Sequence, residues 1–196
     1  MSHELTYRIV LAVLAFGYFF LRQFYIRTFH AKQKIHSRHG TWSRFGYVII
    51  YAANYSVMFY IFDMGVKFAQ LPLPDAVRWF GAGSMLAAVL LYAWTHHTLG
   101  HLWSGVLEIS TDHVLRTDGP YQYVRHPMYS AFFLYAIGVL LLSANALIGA
   151  IMIAATATMY LARIDAEEQM MLDQFGGQYR DYIQRVDRLL PRMIRP

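Results

Sequence analysis

One stretch of the chain, from His126 to Ala162, contains no Asp, Glu, Lys or Arg. Since a helix needs roughly 20 apolar residues to cross about 30 Å of hydrocarbon, such a stretch predicts membrane-spanning helices. Ser143-Ala144-Asn145 interrupts it, which indicates a tight turn between two antiparallel spans; one bent span is the alternative. The whole chain is 57% hydrophobic and 15% charged, a composition outside the range of ordinary soluble domains.

Three more apolar segments precede this stretch, so the sequence predicts five transmembrane helices. They are expected at about residues 4–21, 45–65, 76–95, 127–143 and 146–162. The prolines of Leu71-Pro72-Leu73-Pro74-Asp75 separate the second span from the third, because proline disfavours helix in the residue before it. Asp75 is then expected to cap the third helix.

The helical spacing of apolar residues continues past the fifth span as far as Gly176-Gly177. A further short amphipathic helix is expected at about residues 178–187. No internal repeat or long linker divides the sequence. The predicted fold class is therefore an all-α integral membrane protein, a single domain over residues 1–196, with five transmembrane helices and a cytoplasmic C-terminal helical segment.

The basic residues predict which side of the membrane each loop faces. The segments 22–44, 96–126 and 163–196 hold six, two and six of the 17 Lys and Arg residues, and five spans would put all three segments on one side. Because cytoplasmic loops carry the excess of Lys and Arg, these segments are predicted to be cytoplasmic and the N-terminus to lie outside. The formal net charge of +5 is then explained by contact with membrane lipids, and nucleic acid is not expected as a partner.

Cysteine and histidine usage limits the chemistry. The chain has no cysteine, which excludes disulfides, zinc–thiolate sites, iron–sulfur ligation and thiol nucleophiles. His97 and His101 have the i, i+4 spacing that can chelate a metal on a helix face. A di-iron membrane oxygenase would need several further histidine clusters, so no metal is predicted and interfacial histidines are expected instead.

The first candidate site lies at the start of the fourth span, in the stretch Gly119-Pro120-Tyr121-Gln122-Tyr123-Val124-Arg125-His126-Pro127-Met128-Tyr129. Pro127 suits the first turn of a helix, where its missing N–H is not needed. Arg125 and His126 have an ordinary interpretation, as a lipid headgroup contact and a helix cap. Three tyrosines surround them, however, and the free N–H groups of the helix start point to the same place, which favours a site for an anionic and an aromatic group.

The second candidate site is Glu167-Glu168, which follows the fifth span. Adjacent residues on a helix project about 100° apart, so these carboxylates cannot face one another as a catalytic pair. A solvated helix face with an Arg163–Glu167 ion pair is one interpretation. Relative to the apolar positions 164, 171, 172 and 175, Glu168 lies nearer the centre of the apolar side, so it is expected to be the buried member.

In this order and spacing, the residues resemble the isoprenylcysteine carboxyl methyltransferase and phospholipid methyltransferase family of integral membrane enzymes. The matching elements are Leu99-Gly100-x-x-Trp103-Ser104, Gly119-x-Tyr121-x-x-x-Arg125-His126-Pro127-x-Tyr129, Arg163-x-x-x-Glu167-Glu168 and Phe175-Gly176-x-x-Tyr179-x-x-Tyr182. They lie within residues 95–190, and the first three spans match only in character.

The resemblance implies an S-adenosylmethionine site at the cytoplasmic ends of the last two spans, closed by the C-terminal segment, with a lipophilic methyl acceptor entering from the bilayer. Arginine can bind the carboxylate of this cofactor, glutamate its ribose hydroxyls or ammonium, and aromatic rings its adenine and sulfonium. The resemblance assigns Arg163 and Glu168 to the reacting end as catalytic residues. It assigns to cofactor binding Tyr121, Tyr123, Arg125, His126, Pro127, Tyr129 and Glu167, together with the turn that contains Gly100, Trp103 and Ser104.

The acceptor stays open at this point, since a prenylated cysteine carboxylate, a phospholipid amine, a small thiol and a quinone-like lipid all fit. No general base stands out, which suits a carboxylate or thiolate better than an amine that must lose a proton. Two other function classes remain. One is a metal- or nicotinamide-dependent lipid oxidoreductase, against which the sparse histidines and the missing glycine fingerprint count; the other is a non-catalytic membrane protein that binds no cofactor.

Overall fold

The computed structural model describes residues 2–30, 41–100 and 114–192 of the chain. Its helices are α1 (Ser2–His30), α2 (Thr41–Ile61), α3 (Asp75–Leu99), α4 (Pro127–Ser143), α5 (Ala146–Phe175) and α6 (Gly177–Arg185). Two 3-10 turns, Lys67–Ala69 and Gly119–Gln122, precede α3 and α4. Apart from two isolated β-bridges, the described residues form no β-structure, so the predicted all-α fold is confirmed.

Five of these helices are apolar. Within the described residues, α1, α3 and α5 are long and apolar enough to cross a membrane, and the shorter apolar helices are Val48–Ile61 of α2 and the whole of α4. The bounds of α4 are those expected from the sequence. α5 continues without a break through Glu167 and Glu168 to Phe175, so the apolar stretch and the acidic pair belong to one helix. The number of spans stays a prediction, because α2 and α4 offer fewer apolar residues than the other three helices.

The turn between α4 and α5 is tight and is held by side-chain hydrogen bonds. Ala144 adopts a left-handed backbone conformation with φ 48°. Asn145 is fully buried, and its Oδ1 accepts a hydrogen bond from the Ile148 N–H at 3.1 Å, which caps α5. Its Nδ2 donates to the Val66 carbonyl at 2.8 Å. The structure therefore confirms two antiparallel helices and excludes the single bent span.

The start of α3 differs from the expectation. Pro74 occupies the cap position and offers no side-chain hydrogen bond, so the prediction that Asp75 caps α3 is wrong. Asp75 lies inside the helix, and its carboxylate approaches His3 of α1 at 3.2 Å instead. The fixed φ of Pro74 starts the helix without a capping side chain, which leaves Asp75 for a contact between helices.

α3 and α4 approach closely because glycines face each other across their interface. A Cβ atom on Gly81 would lie 2.5 Å from the Leu142 nitrogen and 3.0 Å from the Gly138 carbonyl oxygen. A Cβ atom on Gly138 would lie 2.8 Å from the Met85 nitrogen. Only a hydrogen atom fits as the side chain at these two positions. Small residues of this kind allow the backbones of neighbouring membrane helices to pack closely. This close contact fixes the position of α4, whose first turn begins the candidate site.

A charged cluster ties four helices together at the end of α4 that lies farthest from His126. Arg78 of α3 donates to Glu4 of α1 at 2.6 Å, to the Tyr60 hydroxyl of α2 at 2.6 Å and to the Leu142 carbonyl of α4 at 3.0 Å. Its guanidinium carbon also stands 3.7 Å from the ring centroid of Tyr7. Arg78 is buried and its charge is paired, so the loss of Glu4 would leave an unpaired charge at a place where that is costly.

Candidate active site

The candidate site forms where α4 begins, where α5 extends beyond its apolar stretch, and where the chain after α6 returns. Pro127 is the first residue of α4, as the sequence indicated. His126 occupies the cap position, but its side chain makes no capping hydrogen bond. α5 contributes Arg163, Glu167 and Glu168. Residues 186–189, which we call the covering segment, follow α6 and pass across the start of α4. The sequence elements that were separated along the chain therefore meet at one place.

The covering segment is bound to the start of α4 by main-chain hydrogen bonds. The backbone N–H groups of Arg125 and His126 donate to the carbonyls of Asp187 and Arg188 at 2.8 and 2.9 Å. The Ser130 hydroxyl donates to the Leu189 carbonyl at 2.6 Å. These bonds satisfy N–H groups that precede α4 and close this side of the site.

Glu168 is the most heavily paired charge of the site. Arg125 donates to its Oε1 from Nε at 3.1 Å and from Nη2 at 2.9 Å, and His126 Nε2 stands 3.2 Å from the same oxygen. Arg188 donates to Oε2 from Nη2 at 2.7 Å and from Nε at 3.1 Å. Glu168 is buried, so the expectation that it is the buried glutamate is confirmed. Two guanidinium groups around one buried carboxylate hold it in its charged form.

Arg125 joins α4, α5 and the chain after α6. Besides its bonds to Glu168, its Nη1 donates to the carbonyls of Ile183 and Val186. A guanidinium has five N–H donors, and these protein acceptors engage most of them. Arg125 thus lies in the site but binds protein groups, and the carboxylate of a ligand would have to displace one of them.

Glu167 has different surroundings from its neighbour. Its Oε1 accepts hydrogen bonds from the Tyr129 hydroxyl at 2.8 Å and from Arg163 Nε at 3.2 Å. Its Oε2 has no hydrogen-bond donor among the described residues; His126 Nδ1 lies 3.9 Å away. The side chain is 22% exposed, compared with 9% for Glu168. The Arg163–Glu167 ion pair that the spacing suggested is present, and it leaves one carboxylate oxygen able to accept a hydrogen bond from a ligand.

Tyrosines form the wall between the 3-10 turn and α6. The Tyr182 hydroxyl donates to the Tyr121 carbonyl at 2.5 Å, and Tyr179 and Tyr182 pack in one buried cluster. Burial raises the pKa of Tyr179 to about 12. Burial is also the main reason why the pKa of Tyr121 is raised, with additional effects of the Tyr182 hydroxyl and the Glu167 carboxylate. These hydroxyls therefore stay protonated at neutral pH and act as hydrogen-bond donors.

Two of the expected cofactor-binding residues lie towards α3. Tyr123 is 51% exposed, and its ring centroid lies 6.3 Å from that of Trp94. Gly100 ends α3 with φ 53°, a conformation that favours glycine. Trp103 and Ser104, the other two residues of the expected turn, lie outside the described residues. The structure thus brings Tyr121, Arg125, His126, Tyr129, Arg163, Glu167 and Glu168 together and leaves Tyr123 and Gly100 nearer the end of α3.

Arg188 was missed by the sequence interpretation. It follows the acidic pair by 20 residues, beyond any helical spacing that could have linked the two. Its hydrogen bonds to Glu168 raise its pKa above the usual value for arginine, so it remains charged. The sequence offered one chemical indication of such a residue. A buried glutamate with one arginine partner needs a further hydrogen-bond donor for its second carboxylate oxygen.

Within residues 2–30, 41–100 and 114–192, the histidines of α3 do not gather with other metal-ligating groups. His97 is exposed, and His96 is buried with its Nδ1 3.0 Å from the Tyr92 carbonyl. His101 lies outside the described residues. Among those that are described, no group of three or more His, Cys, Asp or Glu side chains forms a metal site. The expected absence of a metal stays a prediction.

Fold and site together define a multi-pass integral membrane protein with a polar site at the ends of its last two apolar helices. A sequence profile of the isoprenylcysteine carboxyl methyltransferase (ICMT) family matches residues 81–173. Protein-S-isoprenylcysteine O-methyltransferase B of Arabidopsis thaliana is 32% identical over 139 residues, which cover 69% of this chain and 70% of that protein. The chain belongs to the isoprenylcysteine carboxyl methyltransferase family, as the resemblance predicted.

Other relatives agree with this assignment. The protein-S-isoprenylcysteine O-methyltransferase of Saccharomyces cerevisiae is 37% identical over 92 residues, which cover 46% of this chain and 38% of that protein. The structure of the eukaryotic intramembrane Ras methyltransferase ICMT matches with a TM-score of 0.59 and 25% identity, over 93% of this chain and 68% of that one. The matched part spans 30–38% of the curated relatives from S. cerevisiae, Tribolium castaneum and Schizosaccharomyces pombe.

Proposed function

We propose that the protein transfers a methyl group from S-adenosylmethionine to the carboxylate of a lipophilic acceptor of the isoprenylcysteine type, at the cytoplasmic face of a membrane. The observation that carries this proposal is that the two adjacent glutamates differ in their hydrogen-bond partners. Glu168 is saturated by arginines, whereas Glu167 keeps one oxygen able to accept hydrogen bonds beside Tyr129 and Arg163. This pair lies where apolar helices end, so a polar ligand and a lipid can meet there.

The chemistry of the donor set fits S-adenosylmethionine. Oε2 of Glu167 suits an ammonium or a ribose hydroxyl, which are donors that need an anionic acceptor. Tyr121, His126 and Tyr129 supply aromatic surface and hydrogen-bonding groups next to that oxygen, and aromatic faces also attract a sulfonium. When bound, the cofactor supplies a methyl group attached to a sulfonium sulfur, and this sulfur is a good leaving group because it departs as a neutral thioether. The chain's own part is then to hold, orient and shield the reactants from water.

A carboxylate acceptor agrees best with the charges of the site. An amine acceptor has to lose a proton, and Glu168, the buried carboxylate, cannot take it readily while two guanidinium groups bind it. A carboxylate acceptor is already anionic and needs no base. The positive charges of Arg125, Arg163 and Arg188 also favour the binding of an anionic acceptor. The relatives from S. cerevisiae and A. thaliana are named protein-S-isoprenylcysteine O-methyltransferases, a name that describes this chemistry for those proteins.

The cytoplasmic location is proposed from the distribution of basic residues. The segments that carry the candidate site, 96–126 and 163–196, are two of the three that together hold 14 of the 17 Lys and Arg residues. The acceptor would then reach the site sideways from the bilayer, past the exposed apolar side chains of α5 such as Leu161. An isoprenyl group is long and apolar, so it would remain in the hydrocarbon while its polar head reacts.

The experiment is methyl transfer by the purified protein in lipid nanodiscs, with tritium-labelled methyl on S-adenosylmethionine and N-acetyl-S-farnesylcysteine as the probe acceptor. A methyl ester releases volatile methanol in base, whereas N-methyl and S-methyl products keep the label. We expect base-labile label, and calorimetric binding of S-adenosylhomocysteine that persists with a metal chelator. Base-stable label in phospholipid would contradict the carboxylate acceptor. Absence of S-adenosylhomocysteine binding would favour the non-catalytic alternative.

A further inference from the structure

Arg188 reaches the site on a backbone that does not depend on its side chain. The His126 N–H donates to the Arg188 carbonyl at 2.9 Å, and Ser130 and Arg125 hold the residues on either side of it. A substitution that changes only the Arg188 side chain keeps these main-chain bonds. The role of the guanidinium can therefore be separated from the role of the covering segment.

The guanidinium of Arg188 has one edge engaged and one edge accessible. Nε and Nη2 both donate to Oε2 of Glu168, and Nη2 also approaches Asp165 at 3.3 Å. Nη1, which carries two N–H groups, has no hydrogen bond to any described residue. The side chain is 42% exposed, compared with 7% for Arg125, the other arginine bound to Glu168. Of these two arginines, only Arg188 offers donors that a ligand can reach without displacing a protein acceptor.

The residues that follow Arg188 in the chain are apolar. Leu189 packs against the cluster of Tyr129, Met159 and Ile164, and Leu190 is 76% exposed. An anion held here would have hydrocarbon-compatible side chains on one side and the glutamate pair on the other. This is the environment that a lipid with a charged head requires.

We propose that Arg188 binds the carboxylate of the lipophilic acceptor through its Nη1 edge while Nε and Nη2 remain on Glu168. The proposal rests on the proposed function, in which the acceptor carries a carboxylate. Glu168 then has a positioning role, since it fixes the plane of the guanidinium that receives the acceptor. Arginine can hold two anionic groups at once because its N–H donors lie in one rigid plane, which distinguishes it from lysine.

The test compares two non-reacting ligands that share a farnesyl thioether and differ at the head, one ending in a carboxylate and the other in a neutral carboxamide. Their equilibrium binding to the full-length protein in nanodiscs is measured without S-adenosylmethionine, by competition with a fluorescent farnesyl probe. The variants are Arg188→Gln, Arg188→Lys and, as a matched loss of one charge at an exposed position of α6, Arg185→Gln. S-Adenosylhomocysteine binding by each variant reports on folding and on the cofactor subsite.

We expect the wild type and Arg185→Gln to prefer the carboxylate ligand by about tenfold or more, as a charge-assisted pair implies. Arg188→Gln should lose this preference because only its carboxylate ligand binds more weakly, and Arg188→Lys should keep part of it. If Arg188 had a purely structural role, Arg188→Gln would lower the affinity for both ligands equally, and that result would overturn the proposal. The proposal would also be overturned if the wild type showed no carboxylate preference, or if the preference survived in Arg188→Gln. Loss of S-adenosylhomocysteine binding by Arg188→Gln, in place of loss of the carboxylate preference, would overturn it as well.

The outcomes of the two proposals can be told apart. If the carboxylate preference depends on Arg188 but the wild type forms no base-labile methyl ester, the proposed methyl transfer fails and the binding site stands. If methyl esters form and the preference does not depend on Arg188, the function stands and the assignment of Arg188 is wrong. In the supporting case, Arg188→Gln should also raise KM for N-acetyl-S-farnesylcysteine more than it lowers kcat.

Discussion

Oε1 of Glu168 lies within 3.2 Å of three nitrogens of Arg125 and His126, whereas Oε2 of Glu167 has no donor within hydrogen-bond distance among the described residues. The two residues are neighbours in sequence, and their difference follows from a rotation of about 100° around α5. The sequence alone predicted which of them would be buried, because the apolar positions of the helix define its inner side. The identity of the second partner of Glu168 could not be predicted, since Arg188 comes from an irregular segment.

Glu167→Gln is expected to weaken S-adenosylhomocysteine binding by about tenfold or more, which corresponds to the loss of a charge-assisted hydrogen bond of roughly 1.5–3 kcal/mol. The reason is that an amide retains the shape of the side chain but not the anionic oxygen offered to a ligand. Isothermal titration calorimetry in detergent measures the change. Asp173→Asn is the control, because it removes the same charge from an exposed position of α5. Equal affinities in the wild type and Glu167→Gln would place the residue outside the cofactor site.

Glu168→Gln is expected to reduce stability as well as turnover. The variant would leave Arg125, a buried guanidinium, without its anionic partner, and removing one member of a buried ion pair costs about 3–5 kcal/mol. The thermal unfolding midpoint, followed by the fluorescence of the purified protein, should fall clearly below that of the wild type and of Asp173→Asn. If the midpoint is unchanged while turnover falls, Glu168 acts in catalysis without holding the site together.

At the scale of the elements, the helices were largely predictable and their contacts were not. Apolar length and proline positions located α3, α4 and the start of α5 to within a few residues, and the helical spacing up to Gly176-Gly177 predicted where α5 ends. The α4–α5 turn was predictable because Asn at its end is a good helix cap. The cluster around Arg78 was missed, because helical periodicity says which face a residue occupies and not which helix it meets.

Gly81→Ala should destabilise the protein, because the new methyl group would overlap the backbone of α4 at Leu142. Overpacking of this kind costs about 1–3 kcal/mol, and the backbone of a packed helix cannot move away as a side-chain tip can. Gly83→Ala, two residues along the same helix, meets nothing within 4 Å and should be neutral or slightly stabilising. Unfolding midpoints of the two variants decide the matter. Similar midpoints would mean that α3 and α4 are less closely packed than described.

For the whole molecule, the predicted orientation has a direct test. Five spans with basic cytoplasmic loops put the loop around Asp75 outside and the residues after α6 in the cytoplasm. Paired reporter fusions, one active only outside and one only in the cytoplasm, should therefore give opposite results after Asp75 and after Pro196. Fusions that report the same side would contradict five spans, and with them the cytoplasmic location proposed for the site.

The covering segment has a consequence for the order in which the molecule is made. Residues 186–189 leave the ribosome after all five apolar helices, yet they supply the carbonyls bound by Arg125 and His126 and the guanidinium bound by Glu168. Insertion into the membrane and completion of the site are therefore separate events in biogenesis, in that sequence. A chain terminated just before Val186 should insert and accumulate in the membrane but bind no S-adenosylhomocysteine. Adding the missing residues as a synthetic peptide should restore little S-adenosylhomocysteine binding. The covalent link to α6 keeps the segment at a high effective concentration next to the site, which a free peptide does not reach.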